Sequence, residues 1–278
     1  MSEIKLICGD CKEELKNLDS GCIDLTVTSP PYDNLREYKG YTFDFKEIAK
    51  ELFRVTAKGG VVVWVVNDMT INGSETGTSF KQALCFKEIG FNLHDTMFWY
   101  KPNPTPTDWK CYRYYNAVEY MFVFSKGKPK TCNYIRVPSK TAGKLFGTAP
   151  QRRIDGSKRD DRTEKLKTTV VNDFKVKSNM WEYPIGSGVS SDKEAHQHPA
   201  IFPEQLAKDH IISWSNKSDT ILDPMMGSGT VGKMAKANNR NFIGIEISSD
   251  YCKIAEQRIL NAQESLFKCT TSQSSHTR

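Results

Sequence analysis

Apolar positions along this chain recur in two alternating rhythms. Cys22-Ile-Asp-Leu-Thr-Val-Thr28 predicts a strand. Phe45, Ile48, Ala49, Leu52 and Phe53 follow the i, i+3, i+4, i+7, i+8 spacing of an amphipathic helix over Phe45 to Ala57, which Gly59-Gly60 stops. Val61 to Val66 is an unbroken apolar run of strand length, as expected of a strand covered on both faces. Phe80 to Ile89 reads as a helix closed by Gly90, and Phe91 to Tyr100 and Val118 to Phe124 as further strands. After a long interval the rhythm resumes. Pro203 opens a helix with Leu206, His210, Ile211 and Trp214 on one side. The strand Thr220 to Asp223, a glycine-rich turn, a helix to about Asn238, the strand Asn241 to Ile247 and a helix from Ser249 to about Ala262 follow. Strands alternating with helices predict an α/β fold on a mostly parallel, doubly wound sheet.

The interval differs in composition. From Lys126 to Lys177 fifteen Lys and Arg stand against five Asp and Glu, a window of +10 in a chain of net charge +6, so the remainder carries −4. A basic segment set into a slightly acidic body fits either a polyanion-binding element or a solvated loop. The expected organisation is 1–125 and 196–265 as two halves of one domain, 126–195 as an insertion and 266–278 as a polar tail. At 278 residues, 38% hydrophobic and 26% charged, the chain suits a globular protein and not a disordered one. It has no run of ~18 apolar residues, and its start (MSEIKLICGD) lacks the features of an export signal. A cytoplasmic protein without a membrane span is expected. Eight scattered cysteines then read as reduced thiols. The lone pair Cys8 and Cys11 lacks the further ligands that zinc needs, so no metal is expected.

Two turns carry chemistry. Asp223-Pro-Met-Met-Gly227-Ser-Gly229-Thr-Val-Gly232 contains G-x-G-x-x-G between a strand and a helix. Glycines there permit a tight turn and close approach of a ligand to free helix N–H groups. Glu246 ends the next strand, where a carboxylate can accept hydrogen bonds from both hydroxyls of a ribose. This layout suits a nucleoside cofactor, and does not separate a dinucleotide from S-adenosylmethionine. The second turn is Ser29-Pro30-Pro31-Tyr32, directly after the first strand. Two prolines force the chain out of the ladder at the strand end, where open α/β sheets bind ligands. A rigid carbonyl and a hydroxyl can accept the hydrogens of an exocyclic –NH2, and the tyrosine ring can stack on an extruded base.

Together these turns match a family. The chain resembles the DNA amino-methyltransferases that modify cytosine N4 or adenine N6, in the permuted (beta) group whose catalytic turn precedes the cofactor turn. Leu6 to Leu15, with Asp10, is similar to the leading G-D-C motif, and Thr28-Ser-Pro-Pro-Tyr32 to the catalytic motif. His198-Pro-Ala-Ile-Phe202-Pro203 resembles H-P-A-x-F-P, which closes over the methionine end of the cofactor. Asp223 to Thr230 and Phe242 to Glu246 resemble D-P-F-x-G-S-G-T and G-x-E, with Met225 in place of Phe.

The resemblance implies a Rossmann-like methyltransferase fold with S-adenosylmethionine as methyl donor and double-stranded DNA as partner. It implies catalytic roles for Ser29, Pro30, Pro31 and Tyr32, and cofactor contacts from Asp10, Phe202, Asp223, Met225, Gly227, Gly229, Thr230 and Glu246. The basic interval falls where the family places target recognition, which makes Arg152, Arg153, Arg159 and Arg162 candidates for phosphate or guanine contacts. Its lysines are expected to contact phosphate or solvent. Ser at the head of the catalytic turn favours cytosine N4, with adenine N6 as the alternative. A nicotinamide-dependent oxidoreductase would leave the Ser-Pro-Pro-Tyr turn and the basic interval unexplained, and a DNA-binding protein without catalysis would leave both turns idle. A monomer or homodimer, paired with a separate restriction endonuclease, is the expected setting.

Overall fold

An eight-stranded sheet organises the computed structural model, which describes residues 2–31, 44–104, 112–147, 168–186, 188–192 and 202–262. In chain order the elements are β1 (Ile4–Cys8), α1 (Cys11–Glu14), β2 (Ile23–Thr28), α2 (Phe45–Val55), β3 (Thr56–Val66), β4 (Thr70–Ile71), β5 (Ser74–Glu75), α3 (Thr78–Ile89), β6 (Asn92–Tyr100) and β7 (Val118–Ser125). Then come β8 (Arg136–Pro138), β9 (Leu145–Gly147), β10 (Thr168–Val170), β11 (Phe174–Val176), β12 (Met180–Glu182), α4 (Glu204–Trp214), β13 (Thr220–Asp223), α5 (Thr230–Ala237), β14 (Asn241–Glu246) and α6 (Ser249–Leu260). The main sheet runs β1-β14-β13-β2-β3-β7-β6-β12. Every pairing in it is parallel except the two made by β7. No described helix is long and apolar enough to cross a membrane.

The residues form two compact units, one up to Asn133 and again from Asn179 onward, the other Tyr134–Ser178. In the second, β8 pairs with β11 and β9 with β10, each antiparallel. This unit lies inside the 126–195 interval and is narrower than it. Met180–Glu182 belongs to the main sheet as its edge strand, because Trp181 and Tyr183 are buried beside β6 and α4.

The apolar stripe of α2 (Ile48, Ala49, Leu52, Val55) packs with Trp64, Phe86 and Phe124. The Phe86 and Phe124 rings stack at 4.4 Å, and the buried Trp64 indole donates to Gln82 at 2.9 Å. The glycine pair expected to stop α2 lies inside β3 instead. Gly59 takes φ +77°, its N–H donates to the Lys126 carbonyl at 2.7 Å, and the register against β2 shifts between Ile23 and Leu25. β1 was not expected from periodicity. It is short and none of its residues is fully buried, as befits an edge strand with one partner.

Candidate active site

All main-sheet strands but β7 end at one edge. There the winding reverses: from β13 the chain passes through α5 to β14 on one side, and from β2 through α2 to β3 on the other. Such a reversal opens a crevice at the carboxyl ends of the two central strands. The Thr28 hydroxyl, at the end of β2, donates to Asp223 Oδ1 at 2.8 Å across 195 residues of sequence. This bond joins the head of the Ser-Pro-Pro-Tyr turn to the head of the glycine-rich turn. Ser29 is half-buried, Pro30 buried and Pro31 half-buried.

Glu246 ends β14, the next strand over, and its side chain receives the Gly227 N–H and the Ser248 N–H, each at 2.9 Å. Gly227 and Gly229 need left-handed backbone (φ +51° and +79°), and a Cβ on Gly229 would sit 2.8 Å from the Ala255 side chain. A Cβ on Gly232 would sit 2.5 Å from both Phe242 and Ile259, so this glycine lets α5 close on the sheet. Met225 is half-buried, and its N–H donates to Asp223 at 3.2 Å. Asp10 follows β1 in the adjacent position. It caps α1 by accepting the Lys12 N–H at 2.9 Å and is exposed.

Burial dominates the electrostatics. It pushes the Asp223 carboxyl up to about 7, against the opposing pull of the Thr28 hydroxyl and the Met225 N–H, with the Glu246 charge adding to the rise. Burial likewise raises Glu246. Their hydrogen-bond partners among the described residues are a hydroxyl and backbone N–H groups, none of them a cation. Because the folded value of Asp223 exceeds its unfolded one, the cost of ionising it is absent below pH ~4. It grows between about pH 4 and 7 and is complete above 7. Asp223→Asn keeps an acceptor for Thr28 and removes that cost. It is expected to raise stability at pH 8 by up to about 4 kcal/mol and to flatten the stability profile between pH 4 and 7. Urea unfolding across that range checks both.

Phe202 is half-buried and meets the buried Trp99 edge-on at 6.5 Å. Tyr32, Arg152, Arg153, Arg159, Arg162 and His198 lie outside the described residues. Of the basic interval, Lys126 and Lys130 have structural work. Lys126 donates to the carbonyls of Phe53 (2.7 Å) and Thr56 (2.9 Å) at the end of α2, and Lys130 pairs with Asp24. Cys8 and Cys252 are neighbours, and burial pushes the Cys252 thiol up to about 12, consistent with an inert thiol. Among the described residues no cluster of His, Cys, Asp or Glu could hold a metal.

Sequence reading missed a buried ion network behind the glycine-rich turn. The Arg258 guanidinium, 1% exposed, bonds the Ser228 carbonyl, the Ser228 hydroxyl (2.9 Å), the Thr230 hydroxyl (3.2 Å) and Asp192 (2.8 Å). Lys233 pairs with Asp192 and with Glu204 (2.7 Å). One signal was available: Arg258 sits beside Ala255 and Ile259 on the apolar face of α6, where a charge needs a partner.

A family profile described as DNA methylase, of the N6/N4 type, matches residues 23–257. The chain belongs to the N6/N4 DNA methylase family. This methylase is 54% identical over 249 residues to the orphan methyltransferase M.BamHII of Bacillus amyloliquefaciens, covering 88% of this chain and 92% of that one. It is 30% identical over 257 residues to the DNA adenine methyltransferase YhdJ of Escherichia coli strain K12, covering 91% and 82%. Among solved structures, the cytosine-N4-specific PvuII DNA methyltransferase superposes with a TM-score of 0.68 at 19% identity, over 95% of this chain and 89% of that one. The M1.HpyAVI–SAM complex gives 0.55 at 23% identity, over 92% and 98%. These likenesses bear out the Rossmann-like methyltransferase fold, and membership in the family sets aside the oxidoreductase alternative.

Proposed function

We propose that this methylase transfers a methyl group from S-adenosylmethionine to the exocyclic N4 of a cytosine swung out of duplex DNA. The observation that carries the reading is the Thr28–Asp223 hydrogen bond, which sets the Ser29-Pro30 turn beside the Asp223 and Glu246 carboxylates. The donor set fits an adenosyl cofactor with a cationic centre. Two buried carboxylates with no cationic hydrogen-bond partner among the described residues favour positive charge nearby, and the Glu246 oxygens keep lone pairs for the ribose hydroxyls. Asp10, Met225, Gly227, Gly229, Thr230 and Phe202 are the other residues that would hold it. When bound, that cofactor supplies a methyl already activated on a sulfonium.

The remaining difficulty is the nucleophile, since an aromatic amine delocalises its lone pair into the ring. The Ser29 hydroxyl and the Pro30 carbonyl would accept the two N–H groups of the amine, drawing the lone pair out of conjugation and fixing its direction. Pro30 and Pro31 hold those acceptors rigid, and Tyr32 would stack on the base. Positioning then supplies much of the rate. No strong base is needed, because the proton can leave after attack.

Ser29 at the head of the turn favours cytosine N4 within the family. Adenine N6 is the second reading, favoured by the 30% identity to a DNA adenine methyltransferase. The unit Tyr134–Ser178, with Arg136, Lys140, Lys144, Lys175 and Lys177, together with Arg152, Arg153, Arg159 and Arg162, is the proposed target-recognition element. A place in a restriction-modification system accords with the relatives named type II methyltransferases, whereas the relative at 54% identity is named an orphan methyltransferase, so a separately acting endonuclease has no support from it. Radiolabelled methyl transfer to DNA tests the reading. Ser29→Ala is expected to lower the transfer rate about tenfold to a hundredfold while cofactor affinity holds, the scale of one lost transition-state hydrogen bond. An unchanged rate would remove Ser29 from the mechanism.

A further inference from the structure

The connection between β6 and β7 leaves the sheet at the same edge as Ser29 and Asp223. Its two ends are tied, the Lys101 N–H donating to the Ala117 carbonyl at 2.7 Å and the Lys101 ammonium pairing with Glu119 at 3.1 Å. Its second described stretch begins Tyr112-Arg113-Tyr114-Tyr115. Tyr112 and Tyr114 are 98% and 100% exposed and Tyr115 is 57% exposed, although tyrosine rings ordinarily gain from burial. The exposure is held in place. Arg113 pairs with Glu75 at 3.3 Å and donates to the Gly73 carbonyl, fastening the segment to the β4–β5 hairpin that follows β3 at that edge. Asp68 in turn pins the base of that hairpin, accepting the Ser79 N–H at 2.9 Å and the Thr76 hydroxyl at 3.2 Å. Tyr112 holds a left-handed backbone (φ +51°), uncommon for a bulky residue.

Solvent-facing aromatic rings, on a tethered connection that leaves the sheet at the same edge as a crevice that must receive a base, have one chemistry in common. They stack on nucleobases without regard to sequence, because every base has a flat face. Taking a base out of a duplex costs unstacking on both of its sides, and something must occupy the faces left behind. We propose that Tyr112 and Tyr114 form a stacking wedge against the bases flanking the extruded target, lowering the cost of opening the pair. This inference rests on the DNA methylation reading above and assigns residues that neither the catalytic turn nor the basic unit includes.

The test compares substrates rather than activity alone. The methylated sequence is first located by sequencing treated plasmid DNA. The double variant Tyr112→Ala, Tyr114→Ala is then assayed on a duplex with the target base paired and on the same duplex with the target opposite an abasic site. On the paired duplex kcat/KM is expected to fall on the order of tenfold or more, the scale of one or two lost base–aromatic stacks. On the abasic duplex it is expected to recover to within about threefold of the unsubstituted protein, since opening no longer has to be driven. Tyr112→Phe, Tyr114→Phe keeps both rings and should behave as the unsubstituted protein. Because both side chains lie in solvent, the melting temperature should not move. An unchanged rate on the paired duplex, or an equal loss on both duplexes, overturns the wedge. An unsubstituted protein that methylates no DNA overturns the methylation reading, and this inference with it.

Discussion

Arg258→Ala is expected to destabilise the protein by about 3–5 kcal/mol, the range for removing one partner of a buried ion network. The reason is local. With the guanidinium gone, Asp192 keeps only part of its neutralisation, and the oxygens of the buried Ser228 and Thr230 lose their donor. Asp192 and Glu204 are held below the usual carboxylate range by their partners, even though burial works the other way. Their ion pairs therefore contribute stability that is present above the unfolded carboxylate values and lost as pH falls through the folded ones. The loss in Arg258→Ala should accordingly be larger at pH 7 than at pH 4. Arg258→Lys restores one charge but not the fork that reaches two segments at once, and is expected to recover less than half of the loss. Chemical unfolding of the three proteins at both pH values measures this. Equal stability of Arg258→Ala and the unsubstituted protein at pH 7 would mean that the network contributes nothing net.

Glu246→Ala acts on the cofactor. The carboxylate holds the Gly227 and Ser248 N–H groups and, in the proposed function, both ribose hydroxyls. Each hydrogen bond to a charged group is worth about 1.5–3 kcal/mol, and the two N–H groups are stranded as well. Affinity for S-adenosylmethionine is therefore expected to fall at least about a hundredfold, read by calorimetry. Glu246→Gln keeps one acceptor and should fall between. An affinity within twofold of the original for Glu246→Ala would remove Glu246 from the ribose.

Much of this site was legible in the sequence because its parts are local. Glycines that a turn requires, two prolines that end a strand and a carboxylate at the close of the next strand each announce themselves within a few residues. What was not legible joins distant segments. Nothing near Thr28 indicates that its hydroxyl meets Asp223, and nothing near Asp192 indicates Arg258. The reversed direction of β7 is invisible for the same reason: an apolar run buried on both faces reads alike whichever way it runs. Lys126 shows the opposite error. Counted by charge it joins the basic interval, yet its ammonium caps the carbonyls that end α2. Aromatic residues around the β6–β7 connection carry no periodic mark of which way they face. Trp99 is buried with its indole on the Tyr183 carbonyl, while Tyr112 and Tyr114 face solvent.

The central claim is methyl transfer to an exocyclic amine of cytosine in DNA. Its most direct test is to incubate the purified protein with S-adenosylmethionine and unmethylated genomic DNA, digest to nucleosides and identify the product by mass spectrometry. The account predicts N4-methylcytosine, formed much more slowly by the Glu246→Ala control when the cofactor is below saturation. N6-methyladenine in its place would contradict the assignment made from Ser29.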